Sequence, residues 1–362
     1  MLGAVRVQST LVVLWALGVS SPTGTALAQT QAQRVSPSEE AEVEDASSSL
    51  PWHGSSLTFG QSLSVNSFFR SAQLSYNPTY AWSFILEPRW YFSKTTYANI
   101  DQRLYLELTD SDSTLRRRRA MLSDTLLGVD THFLSLELRR LGQLRLSAGL
   151  HAIAPTSLAS QAATLVVGGR VRSGADIRFE HVLHGAALSV QGRYVHRFLR
   201  HNTLEAETQF PCLAGGLSSQ NCAYLGTATN VENSLSGIVS GTLEFSEYFA
   251  LSVLAWYTWS RGGNLAPVAI TTQTGMTVDL PDQSVTHWRN DRYLLVEFDW
   301  NATDWLMIGL SVINSFSERS EDGTLRSLGK PVDMLIGLST EIALDQLYLA
   351  TTGRSSARSF EE

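Results

Sequence analysis

Three groups of residues in this chain have the right types to do chemistry. His196 and Asn314 are an imidazole and an amide of the kind that, with a serine, perform acyl hydrolysis: the ring takes the hydroxyl proton and the amide fixes the ring. No serine nucleophile accompanies them, and they fall on segments that are not neighbours. Asp110, Asp112, His201 and His287 could serve as acid and base only if separate connecting segments fold together, because proton transfer needs hydrogen-bond reach. Cys212 and Cys222 share one polar segment, and in an exported chain a disulfide closing it is the expectation. A metal would need further ligands beside them; His201 is the sole candidate, so no metal site and no cofactor is expected. The run Arg116, Arg117, Arg118, Arg119 could hold phosphate through paired guanidinium contacts, or could be a solvated segment.

The elements that would carry these residues repeat at a period of two. Twelve segments alternate apolar with polar residues: approximately 57–69, 79–92, 97–109, 122–133, 143–153, 161–172, 186–200, 234–245, 248–260, 289–300, 304–316 and 331–343. In the second, Tyr80, Trp82, Phe84, Leu86, Trp90 and Phe92 share one face, while Ser83, Glu87, Arg89 and Tyr91 share the other. No helix has that period. Connectors alternate short and long, as at 93–96, 246–247 and 301–303 against 110–121, 201–233, 261–288 and 317–330. Residues 134–142 form a longer connector where a short one is due, and the one near Pro155 is short where a long one is due, which leaves counts of ten or fourteen strands open beside twelve.

This pattern predicts an all-β fold, an antiparallel transmembrane β-barrel with short turns at one end and longer loops at the other. Mean hydropathy near zero agrees with it, since only alternate residues of such a strand meet lipid. Residues 1–28 read as a signal peptide, with Arg6, an apolar core from Leu11 to Val19 and the small-x-small site Ala26-Leu27-Ala28. Residues 29–56 form an acidic, disordered lead-in, 57–345 the barrel and 346–362 a polar tail. The chain carries a formal net charge of −7, which argues against nucleic acid as a partner, and Lys94 and Lys330 are its only lysines.

If the apolar face meets lipid, the charged register lines the lumen. A basic wall is then Arg145, Arg170, Arg172, Arg193 and Arg197, and an acidic wall is Asp291, Glu297, Asp299, Asp333 and Glu341. Strands six apart in a twelve-stranded barrel face one another, so the two walls are expected across the lumen, with Arg145, Arg170, Arg172, Glu297, Asp299 and Glu341 near the inner end. Glu87, Arg89, Asp101 and Arg103 on neighbouring strands are expected to pair. The remaining inward acids are Glu107, Asp124, Asp130 and Glu244. Trp82, Trp90, Phe92, Tyr248, Phe249, Tyr257, Trp259, Trp300, Trp305 and Phe316 gather toward strand ends, where interfacial girdles sit.

With these features the chain resembles bacterial outer-membrane β-barrel proteins, porin-like and of about twelve strands. It departs from them at its C-terminus, where Phe360 is followed by Glu361-Glu362 instead of closing the last strand. The resemblance implies an outer-membrane location in a Gram-negative cell, contact with outer-membrane lipid and lipopolysaccharide, and the outer-membrane assembly machinery as a partner. It also implies passive passage of small polar solutes. A plugged structural or surface-interaction barrel is the alternative. An outer-membrane hydrolase is a third reading, since lipases of this architecture carry a Ser/His/Asn group on the outer wall and proteases carry Asp and His at the external rim.

Overall fold

A computed structural model describes residues 50–68, 78–109, 120–138, 142–179, 181–201, 230–262, 269–271, 277–279, 288–317 and 334–352. The wall begins with β1 (Ser56–Ser64), β2 (Tyr80–Glu87), β3 (Arg89–Tyr91), β4 (Thr96–Glu107), β5 (Ala120–Leu122), β6 (Thr125–Leu138) and β7 (Gly142–Ala154). It continues through β8 (Leu165–Phe179), β9 (Gly185–Leu199), β10 (Val231–Glu244), β11 (Phe249–Gly262), β14 (Trp288–Thr303), β15 (Leu306–Ser317) and β16 (Met334–Ala343). A separate hairpin, β12 (Ala269–Thr271) with β13 (Thr277–Asp279), stands in the connector before β14.

β2 and β3 are one stave interrupted at Pro88, whose missing N–H cannot join the ladder. β5 and β6 are likewise one stave, interrupted at Ser123-Asp124. The fourteen strands of the main sheet are therefore twelve staves. Every pairing is antiparallel, and β1 bonds both β2 and β16, from Ser56↔Ala343 to Ser64↔Leu335 on the latter side. The sheet is closed, so it has no free edge.

The outer surface is apolar and the inner one polar, as the two-residue period requires. Along β14, Tyr293, Leu295, Glu297 and Asp299 are buried while Val296, Phe298 and Trp300 between them are exposed. Leu150, Val171, Leu310 and Leu338 stand outward on β7, β8, β15 and β16, with Leu310 57% exposed. A closed apolar cylinder of this kind is satisfied by lipid and not by water. Among the described residues no helix is long and apolar enough to cross a membrane. Phe249 and Phe298 stack at 5.6 Å near the inner end, and Tyr257 meets Trp259 edge-on at 4.3 Å near the outer end, in keeping with two aromatic girdles.

Short turns and long connectors alternate cleanly, and the irregularity expected around 134–155 disappears. A bulge in β6 between His132 and Leu134 puts Phe133 and Leu134 in succession on the outside; Leu134 and Leu136 then continue the lipid face to Leu138. Residues 134–138 are therefore strand, not connector. β8 runs to Phe179 instead of ending near 172. The stretch expected as its start, 161–164, belongs to the end of α1 (Leu158–Ala162) and the turn after it, the short helix being capped by the Ser157 side chain accepting from the Ser160 N–H. Asp124, expected in the lumen, anchors this turn at the outer rim: its carboxylate accepts from the Ser157 N–H at 3.1 Å and from the Ser160 hydroxyl.

The C-terminal segment also differs from expectation. Residues Leu344–Thr352 form helix α2, which clasps the N-terminal turn across the β1–β16 seam at the inner end. The Gly54 N–H donates to Asp345 at 3.2 Å, the Leu344 N–H to the Ser55 carbonyl at 2.9 Å, and Trp52 meets Tyr348 edge-on. Residues 1–49 and 353–362 lie outside the described residues.

Candidate functional site: the lumen

Five strands on one side of the barrel place a cluster of charges in the lumen. Its centre is Asp130 on β6, 1% exposed, which accepts from three side chains. Arg172 Nε on β8 donates at 2.6 Å, Asn99 Nδ2 on β4 at 2.9 Å, and His151 Nε2 on β7 lies at 3.1 Å. Arg172 Nη2 also donates to the Tyr97 hydroxyl at 3.3 Å. Gly128 and Gly149 make this arrangement fit. They stand opposite His151 and Asp130 in the β6–β7 register, and a Cβ at Gly149 would come within 1.7 Å of Asp130 Oδ1.

Beside this node, Arg103 makes a two-point contact with Asp101 on the same strand, Nε and Nη2 each at 3.0 Å. This contact runs along one strand instead of between neighbouring ones, and Glu87 lies within reach of both charges. Arg89 is engaged differently: its guanidinium sits over the Tyr97 ring at 5.4 Å.

Arg170 and Arg193 complete the basic group. They are 6% and 5% exposed, yet Arg170 Nε and Nη2 and Arg193 Nε have no hydrogen-bond partner among the described residues. Arg193 Nη2 does donate to Gln191 at 2.9 Å. The charges of Arg103, Arg172 and Asp101 act on both, so at this level four guanidinium groups face the carboxyl groups of Asp101, Asp130 and Glu87.

The residues expected to form a basic and an acidic wall stand at different heights. Because β8 ends at Phe179 and not near 172, Arg170 and Arg172 stand at mid-wall, away from the inner end. Arg145 is near that end, where its Nη2 donates to Gln143 at 3.0 Å, and Arg197 lies toward the outer end within 3.5 Å of the Ser234 hydroxyl. Glu341 lies two residues from the end of β16, and Glu297 and Asp299 lie on the inner half of β14. Ser339 donates to Glu297 at 2.9 Å and Ser252 to Asp299 at 3.2 Å, so these acids are served by hydroxyls of their own wall. Asp291 is near the outer end of β14. An ion pair not foreseen joins Arg178 on the extended β8 to Glu244 on β10 at 3.5 Å.

Across from the arginines, part of the wall is apolar. Ile238, Leu254, Tyr293, Leu295 and Ile313 form a buried cluster against which Trp256 and Leu335 pack. All lie on lumen registers of β10, β11, β14, β15 and β16. The two surfaces meet where the Arg193 guanidinium lies over the Trp256 ring at 5.2 Å.

The hydrolytic arrangement is not assembled among the described residues. His196 faces outward on β9, with Nδ1 2.7 Å from Asn233 Oδ1, and the Tyr194 hydroxyl donates to the same oxygen at 2.7 Å. Asn314 is far round the wall on β15. Asp110, Asp112, His287, Arg116 to Arg119, Cys212, Cys222 and Asp333 lie outside the described residues. No group of three or more metal-binding side chains occurs among the described residues.

No protein-family model matches the chain, and no curated protein matches it. Several solved structures are similar. An outer membrane channel from Pseudomonas putida F1 is 12% identical, with 84% of this chain and 98% of that one covered and a TM-score of 0.46. The NanC porin is 8% identical, covering 80% and 98%, with a TM-score of 0.40. The outer membrane channel DcaP of Acinetobacter baumannii is 11% identical, covering 80% and 95%, with a TM-score of 0.31.

Proposed function

We propose that this barrel resides in the outer membrane and is a channel for passive passage of small polar solutes, with anions favoured at mid-lumen. One observation carries the reading. Buried lumen groups on several strands, Arg170 and Arg193 among them with His132, His151, Asn99 and Trp256, keep polar atoms that no group among the described residues satisfies. A solid plug would pair such atoms, since more than about 90% of buried polar groups find a partner. Water and passing solutes meet that need in a narrow wet lumen.

Proteoliposome swelling tests this reading. Vesicles containing the folded protein should swell in isosmotic solutions of small neutral solutes such as glycine and more slowly in larger ones such as sucrose. Insertion is verified separately by the faster gel migration of unheated sample. Vesicles with verified insertion that swell no faster than protein-free vesicles would favour the plugged barrel.

A further inference from the structure

The lumen at mid-height is two-sided, and the two sides call for different chemistry. Arg170 and Arg193 present buried N–H donors that nothing among the described residues accepts. Burying a guanidinium with N–H donors left unpaired is strongly unfavourable, so a position that keeps two such groups adjacent is shaped for an anion. Arg172 cannot replace that anion, because it repels both and is already committed to Asp130 and Tyr97.

Against these donors lies the apolar cluster around Leu254 and Leu295, with Trp256 joining the two surfaces. A channel serving only inorganic ions gains nothing from such a patch, because an apolar constriction expels water and raises the barrier to a hydrated ion. Trp256 also offers a buried indole N–H with no partner among the described residues. An occupant must therefore combine a negative, hydrogen-bond-accepting head with an apolar body.

Resting on the channel reading, we infer that the mid-lumen is a binding site for organic carboxylates with an aromatic or branched apolar body. The carboxylate accepts from Arg170 and Arg193, and the hydrocarbon body lies against Trp256, Leu254 and Leu295. The site makes passage selective: it replaces the hydration of the head with guanidinium donors and the hydration of the body with apolar contact. Neither half suffices alone.

Equilibrium titration of the full folded chain in detergent tests this without requiring conduction. Benzoate, acetate and benzyl alcohol are titrated calorimetrically in low salt. Benzoate should bind saturably and at least tenfold more tightly than either of the other two. Arg170→Gln and Arg193→Gln should each weaken benzoate about tenfold and leave benzyl alcohol unchanged, whereas Leu254→Ala should weaken benzoate and leave acetate unchanged. The comparison of the three ligands on the unaltered protein stands even where a variant fails to fold. Equal binding of benzoate and acetate, equal binding of benzoate and benzyl alcohol, or no saturable benzoate heat would each overturn the inference. Bilayer conductance of the same preparation separates the two readings. A conducting protein that binds no benzoate removes this site alone, and one that binds benzoate but is silent removes the channel alone.

Discussion

Replacing Arg170 with glutamate should abolish anion preference, and the size of the effect follows from the charges at mid-lumen. Twelve strands about 4.8 Å apart and tilted by about 40° make a backbone cylinder roughly 12 Å in radius. An extended arginine takes about 7 Å of that radius, which leaves its charge about 5 Å from the axis. A unit charge at that distance contributes about 0.8 kcal/mol in water, reduced to about 0.5 kcal/mol by the screening of 0.1 M salt. With Glu87 in its neutral carboxylic acid form, four arginines against Asp101 and Asp130 leave two uncompensated positive charges. Chloride is then favoured, and potassium disfavoured, by about 1 kcal/mol each, an anion preference on the order of 30-fold. In 1 M salt the Debye length shortens to about 3 Å and the preference falls to about threefold. At 0.1 M, Arg170→Gln leaves one charge and about a fivefold preference, and Arg170→Glu leaves none, for a ratio near one. Reversal potentials across planar bilayers in a salt gradient read these ratios directly. An Arg170→Glu channel as anion-selective as the unaltered one would refute the placement of this charge in the conduction path.

Three further outcomes follow from the wall itself. Val239 and Ser240 are successive residues on β10 with opposite facings, so Val239→Arg should lower stability by about 2–4 kcal/mol whereas Ser240→Arg should insert and fold; urea titration in lipid vesicles reads the difference. Asp130→Asn removes the carboxylate that Arg172 touches and should destabilise the barrel by about 3–5 kcal/mol, seen as a lower temperature at which the unheated gel form is lost. Gly149→Ala should do the same in milder form, by about 1–3 kcal/mol, because its new methyl group displaces the Asp130 carboxylate.

Strands with bulky outer faces were legible from the sequence alone. In β2 and β3, Trp82, Phe84, Leu86 and Trp90 mark every second position, and the structure turns these residues outward. The inner half of β8 was not legible, because Ser173, Gly174 and Ala175 carry too little bulk to show alternation. The β6 bulge hid five residues of strand for a related reason: Phe133 beside Leu134 breaks a strict period of two. At the lumen, the charged register identified the inward residues but not their partners. Asp130 meets Arg172 across two intervening strand pairings, and only the final register, with Gly128 and Gly149 clearing the space, brings them together. The apolar lumen patch was missed because β10, β11, β14 and β15 are apolar on both faces there. Ile238 is followed by Val239, Leu254 follows Val253, and Leu295 precedes Val296; alternation cannot say which of two neighbouring apolar residues turns inward.

Single-channel recording of the unaltered protein in planar bilayers most directly tests the claim that the lumen conducts and is positive at its middle. Discrete current steps are predicted, with a reversal potential on the chloride side of zero that shrinks as salt rises. Silent bilayers with insertion verified by gel migration, or a reversal potential on the potassium side, would contradict it.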